Sequence, residues 1–364
     1  MGAEPARAVA IRIALVGGDG IGPEVVREAR RVLEAAADVG LVGLELEDLP
    51  HGADHYLATG ETLGEPTFER LRTEFDGILL GAVGDPRVPD NRHARDILLG
   101  LRFRLDLYVN FRPIKLRDPA LSPLRSADRE PIDFVIFREN TEGMYGGVGQ
   151  LRREGTPKER AVSEVVATRA GVERIVRAAF DFAARDGRSR VTLADKANAV
   201  PHVFGLWRRV FQEVATEYPG IEGEMEYVDA LAMALVRHPG RFQVIVTENL
   251  LGDILSDLGA QLIGGPGLAP SANLHPGGAS LYEPVHGSAP ELAGTGRANP
   301  LAAILSAVLL LRDAGAGEAA DWVEAAVDRV LQEGVRTPDL GGTASTEQVG
   351  RWVAEAVRGG GPRR

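Results

Sequence analysis

The 364 residues are enough for two domains with sizeable cores. Lys and Arg number 41 against 52 Asp and Glu, a formal charge of −11, which argues against a general nucleic-acid binder or an anionic-membrane partner but leaves room for a local basic pocket. Cysteine is absent, which excludes disulfides, thiolate catalysis, iron–sulfur clusters and zinc–thiolate sites together.

The opening "MGAEPARAVAIRIALVGGDG" has no secretory cleavage pattern, and the longest uncharged apolar run, 301–311, is too short to span a bilayer. A soluble, cytoplasmic protein is expected. Residues 11–36 predict strand, glycine turn and helix, with Pro23 near the first helical position. Within them "GGDGIGPE" imitates a dinucleotide fingerprint. Pro23 stands where the third glycine belongs, and no acidic residue is clearly placed after a second strand, so the Rossmann reading fails. "FDGILLGAVG" at 75–84 predicts a buried strand, and "DFVIFREN", "SRVTLAD", "MEYVDA" and "FQVIVTEN" predict four more. Helical spacing runs through 91–105, 164–185, 200–217, 229–237, 250–262, 299–313 and 317–333. This alternation predicts an α/β protein with parallel strands, without internal repeats and with a frayed "RGGGPRR" tail.

Chemistry concentrates where strands end. Arg102, Arg112 and Arg138 each follow or end a buried-looking segment. Guanidinium is shaped for bidentate carboxylate binding, so three together suit a di- or tricarboxylate, although a surface ion pair is the plainer reading of any one of them. In "TENLLGDILSDLG", Asp253 and Asp257 are one helical turn apart, where like charges repel. A solvated face explains that pair alone; with Asp229, after the "MEY" strand, the three carboxylates suit a hard divalent cation such as Mg²⁺ or Mn²⁺. "RENTEGMY" offers Tyr145 and "ADKANAV" offers Lys196, one of only three lysines beside 38 arginines. Lysine, unlike arginine, can lose its proton. His51 and His55 share helical spacing but lack a third ligand of the right type, and solvent exposure is expected for both. The small residues of "LYEPVHGSAPELAGTGRANP", 281–300, suit close approach to a nucleotide, against the alternative of a structural loop.

From "GDGIGPE" through "LDLYVNFRP", "RENTEGMY", "DKAN", "GDILSDLG" and "EPVHGSAPELAG" to "DLGGTAST", the chain resembles the metal-dependent β-decarboxylating dehydrogenases of 2-hydroxy acids, the isopropylmalate, isocitrate, homoisocitrate and tartrate/D-malate group. The resemblance implies a two-domain, non-Rossmann fold, with residues 1–107 and 265–364 forming a discontinuous first domain and 108–264 a second that carries the metal ligands and the dimer contacts. It implies that Arg102, Arg112 and Arg138 clamp the malate moiety and that Asp253 and Asp257 bind Mg²⁺ or Mn²⁺. Asp229 and Lys196 would come from the partner subunit of a homodimer, Asp229 to the metal and substrate and Lys196 as base, while Tyr145 protonates the product enolate.

NAD would be held by Glu283, His286, Gly287, Ser288 and Ala289, with Asn198, Asn299 and Asp339 near it. Glu291 would face the adenosine ribose and disfavour NADP by repelling a 2′-phosphate. Leu98 and Leu99 match the apolar pair around the isopropylmalate alkyl group. Arg95 replaces a usual glutamate, Ala199 a usual valine, and "RENTEGMY" a usual "RELTGG"; "VATRAGVERIVRAAFDFA" and "PSANLHP" look like the tartrate/D-malate branch. A 3-substituted malate with an apolar substituent is expected, with tartrate or D-malate as the alternative. A non-catalytic subunit would have no need of Tyr145, Lys196 and the three aspartates, and a redox-inert metal binder leaves the 281–300 loop unexplained.

Overall fold

The computed structural model describes residues 10–125 and 131–360; the N-terminal nine residues, and the last four of the tail expected to fray, lie outside them. The chain forms two compact units, the first drawn from residues 10–101, 265–272 and 276–360, the second from 102–264 and 273–275.

The first unit opens with β1 (Ile11–Gly18), α1 (Gly22–Asp38), β2 (Leu44–Leu49), α2 (Ala53–Thr59), α3 (Glu65–Thr73) and β3 (Gly77–Ala82). β1 pairs in parallel with both β2 and β3. Pro23 presets the backbone of the first turn of α1, whose Val25, Val26, Ala29, Val32 and Leu33 recur at helical spacing and are buried. Next comes α4 (Arg92–Arg104).

The second unit contains β4 (Val109–Lys115), β5 (Asp133–Glu139), the hairpin β6 (Gly149–Arg152) and β7 (Arg160–Ser163), α5 (Arg169–Arg185), β8 (Arg190–Asp195), α6 (Pro201–Ala215), β9 (Glu222–Tyr227), α7 (Val228–Arg237), β10 (Val244–Thr247) and α8 (Asn249–Leu262). Its strand order is β4-β5-β10-β8-β9. The β5–β10–β8–β9 pairs are parallel, as expected, whereas β4 runs antiparallel to β5. Phe180, Trp207, Phe211 and the inward residues of β5, β8 and β10 fill its core. α5 begins at Arg169 rather than 164 because the Thr168 hydroxyl accepts from Gly171 N and caps it there.

The chain then supplies β11 (Pro270–Leu274), β12 (Leu281–Pro284), α9 (Leu301–Asp313), α10 (Gly317–Gln332) and α11 (Thr346–Arg358). In the first unit the strand order is β2-β1-β3-β12-β11, and α1, α9, α10 and α11 pack together. Among the described residues no helix is long and apolar enough to cross a membrane.

One expectation fails here. His51 is buried, 6% exposed, and its Nδ1 lies 3.0 Å from Thr62 O. The His55 ring lies edge-on to it at 5.2 Å; His51 therefore turns inward, while His55 is half-buried.

Candidate active site

The next-to-last residue of β5 organises the second unit's site. Arg138 is 3% exposed, which excludes a surface ion pair. Its Nε and Nη2 both donate to Asn249 Oδ1, at 2.9 and 2.7 Å, and Nη1 donates to Asp253. Asn249 begins α8, and its Nδ2 donates to Glu142 O at 3.1 Å, which turns Oδ1 toward the guanidinium. Glu248 caps the same helix by accepting from Leu250 N and Leu251 N. Tyr145, in the 3-10 turn Met144–Gly146, donates its hydroxyl to the other Asp253 oxygen at 2.8 Å, and Arg138 lies over its ring at 5.4 Å. Partial burial, then the Asp253 hydrogen bond and charge, hold the Tyr145 phenol above the usual tyrosine range, so it keeps its proton.

Arg112, on β4, joins this group. Its Nε donates to Asn110 Oδ1 at 2.7 Å and Nη1 to Ser256 Oγ at 2.6 Å, and Nη1 lies 3.5 Å from Asp253 and 3.6 Å from Asp257. Arg102 is likewise buried. Asp253 and Asp257 do share one face of α8, and cations face them there: within the chain, guanidinium charge offsets the repulsion of the pair.

Lys196 and Asp229 form a separate pair. Lys196 follows β8, Asp229 stands in the first turn of α7, and Nζ donates to Asp229 Oδ1 at 2.6 Å. That hydrogen bond holds the Asp229 carboxyl below the usual aspartate range. Among the described residues of one chain, no three carboxylates or imidazoles are grouped to hold a metal, so Asp229 does not meet Asp253 and Asp257 within a chain.

The glycine-rich loop after β12 belongs to the first unit. Ser288 O accepts from Ile21 N at 2.8 Å, and a Cβ at Gly20 would stand 1.9 Å from that oxygen, so the turn after β1 and this loop touch only because residue 20 is glycine. Ala289 takes a left-handed φ of 38°, and a Cβ at Gly287 would meet open space. His286 Nδ1 lies 3.0 Å from Gly287 O, which puts the neutral ring's proton on Nδ1 and leaves Nε2 a buried acceptor without a partner. Burial pushes this imidazole below the usual histidine range. Asn299 donates to Asp339 Oδ2 at 3.0 Å and accepts from Leu301 N at 3.0 Å, while Glu291 is exposed in the turn Pro290–Leu292 and Glu283 is half-buried.

A family model described as isocitrate/isopropylmalate dehydrogenase matches residues 12–353. The chain belongs to this family. The 3-isopropylmalate dehydrogenase of Thermobifida fusca (strain YX) is 46% identical over 95% of this chain and 98% of its own length. That of Corynebacterium diphtheriae is 46% identical over 96% of this chain and all of its own. The crystal structure of isocitrate dehydrogenase from Methylococcus capsulatus superposes with a TM-score of 0.87 at 38% identity, covering 96% of this chain and 99% of that one. The protein is therefore an enzyme, an isopropylmalate-dehydrogenase-like oxidoreductase with the α/β fold of its family.

Leu98 and Leu99 of this dehydrogenase are half-buried on α4, while Arg95 on the same helix and Ala199 and Asn198 in the turn after Lys196 are exposed. Sequence reasoning missed the residues that orient the arginines. Asn249, Asn110 and Ser256 stood inside quoted motifs, but an amide or a hydroxyl gives no sign in the sequence of which guanidinium it will face.

Proposed function

We propose that this dehydrogenase oxidises and decarboxylates a 3-substituted malate with an apolar substituent, 3-isopropylmalate being the nearest named case, with NAD as hydride acceptor and Mg²⁺ or Mn²⁺ as metal. The observation that carries the reading is the buried, amide-oriented arginine group facing Asp253, Asp257 and Tyr145. Buried guanidinium charge of this density is matched by a substrate with more than one carboxylate.

The residues fit both absent groups. Asp253 and Asp257 offer a divalent cation two oxygen ligands on one helical face, and Asp229 from a second copy would complete a three-carboxylate set. The unpartnered His286 Nε2 and the open space at Gly287 suit a nucleotide that donates a hydrogen bond there. When bound, the cation supplies Lewis-acid polarisation of the substrate oxygen, and NAD supplies the hydride acceptor.

Arg102, Arg112 and Arg138 then seat the carboxylates. Lys196, as the neutral amine, takes the hydroxyl proton through Nζ. Tyr145, protonated beside Asp253, gives its proton to the carbon left when the carboxyl group departs as CO₂. Leu98 and Leu99 face the apolar substituent, and Glu291 favours NAD over NADP.

We assign Lys196 and Asp229 to the partner's site in a homodimer. Support comes from their separation from Asp253 within one chain and from exposed apolar side chains on the paired helices of the second unit: Met233 (69% exposed) and Val236 on α7, and Ile254 (58%) on α8. The test is an NAD-linked screen of 3-isopropylmalate, D-malate, tartrate, isocitrate and homoisocitrate with Mn²⁺. The highest kcat/KM is expected for 3-isopropylmalate; a far higher value for D-malate or tartrate overturns the substrate, and no turnover of any of them overturns the reading.

A further inference from the structure

The buried face of α4 carries an unexpected polar group. His93, Ile97 and Leu101 recur every four residues, and all three are buried, His93 completely. At the first of these positions an apolar side chain would satisfy burial. His93 instead brings its Nε2 to 2.8 Å from Asp19 Oδ2, while its Nδ1 is buried without a partner. The Tyr56 ring stacks over it, centroids 6.0 Å apart at 20°.

Asp19 is itself a junction. It follows β1 and is 5% exposed; Oδ1 accepts from Ala53 N at 2.6 Å and Oδ2 from Gly84 N at 2.7 Å. One carboxylate thus ties together the turn after β1, the start of α2, the loop after β3 and the first turn of α4, all inside the first unit. A carboxylate accepting several buried donors is a strong, directional anchor. Beyond His93, this buried face of α4 is the apolar pair Ile97 and Leu101. Apolar burial alone is non-directional and would let such a helix slide or turn; a hydrogen bond fixes both its position along the axis and its rotation.

Leu98 and Leu99 lie five and six residues beyond His93 on this helix. We propose that His93, held by Asp19, is a positioning residue that sets where α4 presents Leu98 and Leu99 and thereby the enzyme's preference for the 3-substituent of its substrate. The inference rests on the assignment of those leucines to the substituent. It needs no contact between His93 and substrate, and the unpaired Nδ1 is the cost of the arrangement.

The test uses the full-length enzyme with NAD, Mn²⁺ and a series of substrates: D-malate, 3-methylmalate, 3-ethylmalate and 3-isopropylmalate. His93→Leu keeps the apolar stripe and removes the hydrogen bond. The expected result is a kcat/KM for 3-isopropylmalate about 10-fold lower, mostly through KM, with D-malate changed less than about threefold. His93→Gln, which retains a side-chain N–H donor, restores the ratio of the two substrates to within about threefold. A purely structural histidine would lower both substrates together, and that outcome, or an unchanged ratio, overturns the proposal.

Amide exchange separates this from failure of the functional reading. His93→Leu is expected to lose protection in 92–101 while α1 keeps its own, whichever substrate is used; unchanged protection of α4 overturns the proposal even if no malate is turned over. Should His93→Leu not fold, Asp19→Asn, which weakens the same acceptor, is expected to give the same loss of ratio and of protection, and normal values for both overturn it.

Discussion

Gly252 offers a sharp test of how the arginine site is built. It lies inside α8, where alanine is favoured over glycine by about 1 kcal/mol on helix propensity alone. A Cβ added there would stand 2.7 Å from both Cβ and Cγ of Arg138 and 3.2 Å from its Cδ. Carbon atoms in ordinary contact sit at about 3.5–4.0 Å, so the arginine stem or the helix must give way by most of an ångström. Arg138 cannot swing freely, because Asn249 holds Nε and Nη2 and Asp253 holds Nη1. Overpacking of this kind costs about 1–3 kcal/mol, which outweighs the propensity gain. Gly252→Ala is therefore expected to lose up to about 2 kcal/mol in urea unfolding followed by circular dichroism. It should also lower kcat/KM by about 10- to 100-fold, since the guanidinium proposed to seat the substrate is displaced. A variant that is more stable by about 1 kcal/mol and fully active would mean that α8 and Arg138 are not in this contact.

Tyr145→Phe removes the proposed proton donor and leaves the ring under Arg138; kcat is expected to fall by about 10²–10⁴-fold with little change in thermal stability, and an unimpaired rate in a full pH–rate comparison would remove Tyr145 from the chemistry. Burial, partly opposed by the Thr62 hydrogen bond, lowers the pKa of His51 in the folded chain below its unfolded value of about 6.5. The unfolded state then binds more protons below that pH, so stability is lost as pH falls from about 6.5 through the folded value; His51→Asn should flatten that slope in urea titrations at a series of pH values. Glu291→Ser should raise kcat/KM for NADP relative to NAD, and comparable use of both cofactors by the unaltered enzyme would count against the role given to Glu291.

The strands β5, β8, β9 and β10, their parallel pairing and most helices of both units were legible because buried strands and amphipathic helices impose apolar periodicities that survive into the fold, whereas the order of the strands was not read. So was the placing of Arg138 and Lys196 at strand ends, where parallel strands deliver side chains to one edge. β6 and β7 were not read: their residues are almost all exposed, so no alternation marks them. α11 was also passed over, although Ser345 and Gln348 form a capping box at its start. His51 was misjudged and His93 overlooked for one reason. Whether a histidine is buried depends on the acceptor it finds, Thr62 O in one case and Asp19 in the other, and those acceptors are 11 and 74 residues away.

Subunit complementation shows whether the arginine seat of one chain works with the lysine of another. Arg138→Met and Lys196→Met would each be inactive alone. Mixed by co-refolding, and with heterodimers isolated through distinct tags, they should recover one intact site per heterodimer, which is about a quarter of wild-type activity in a random mixture. Purified heterodimers with no activity above either parent would mean that both defects fall within sites that each chain builds alone.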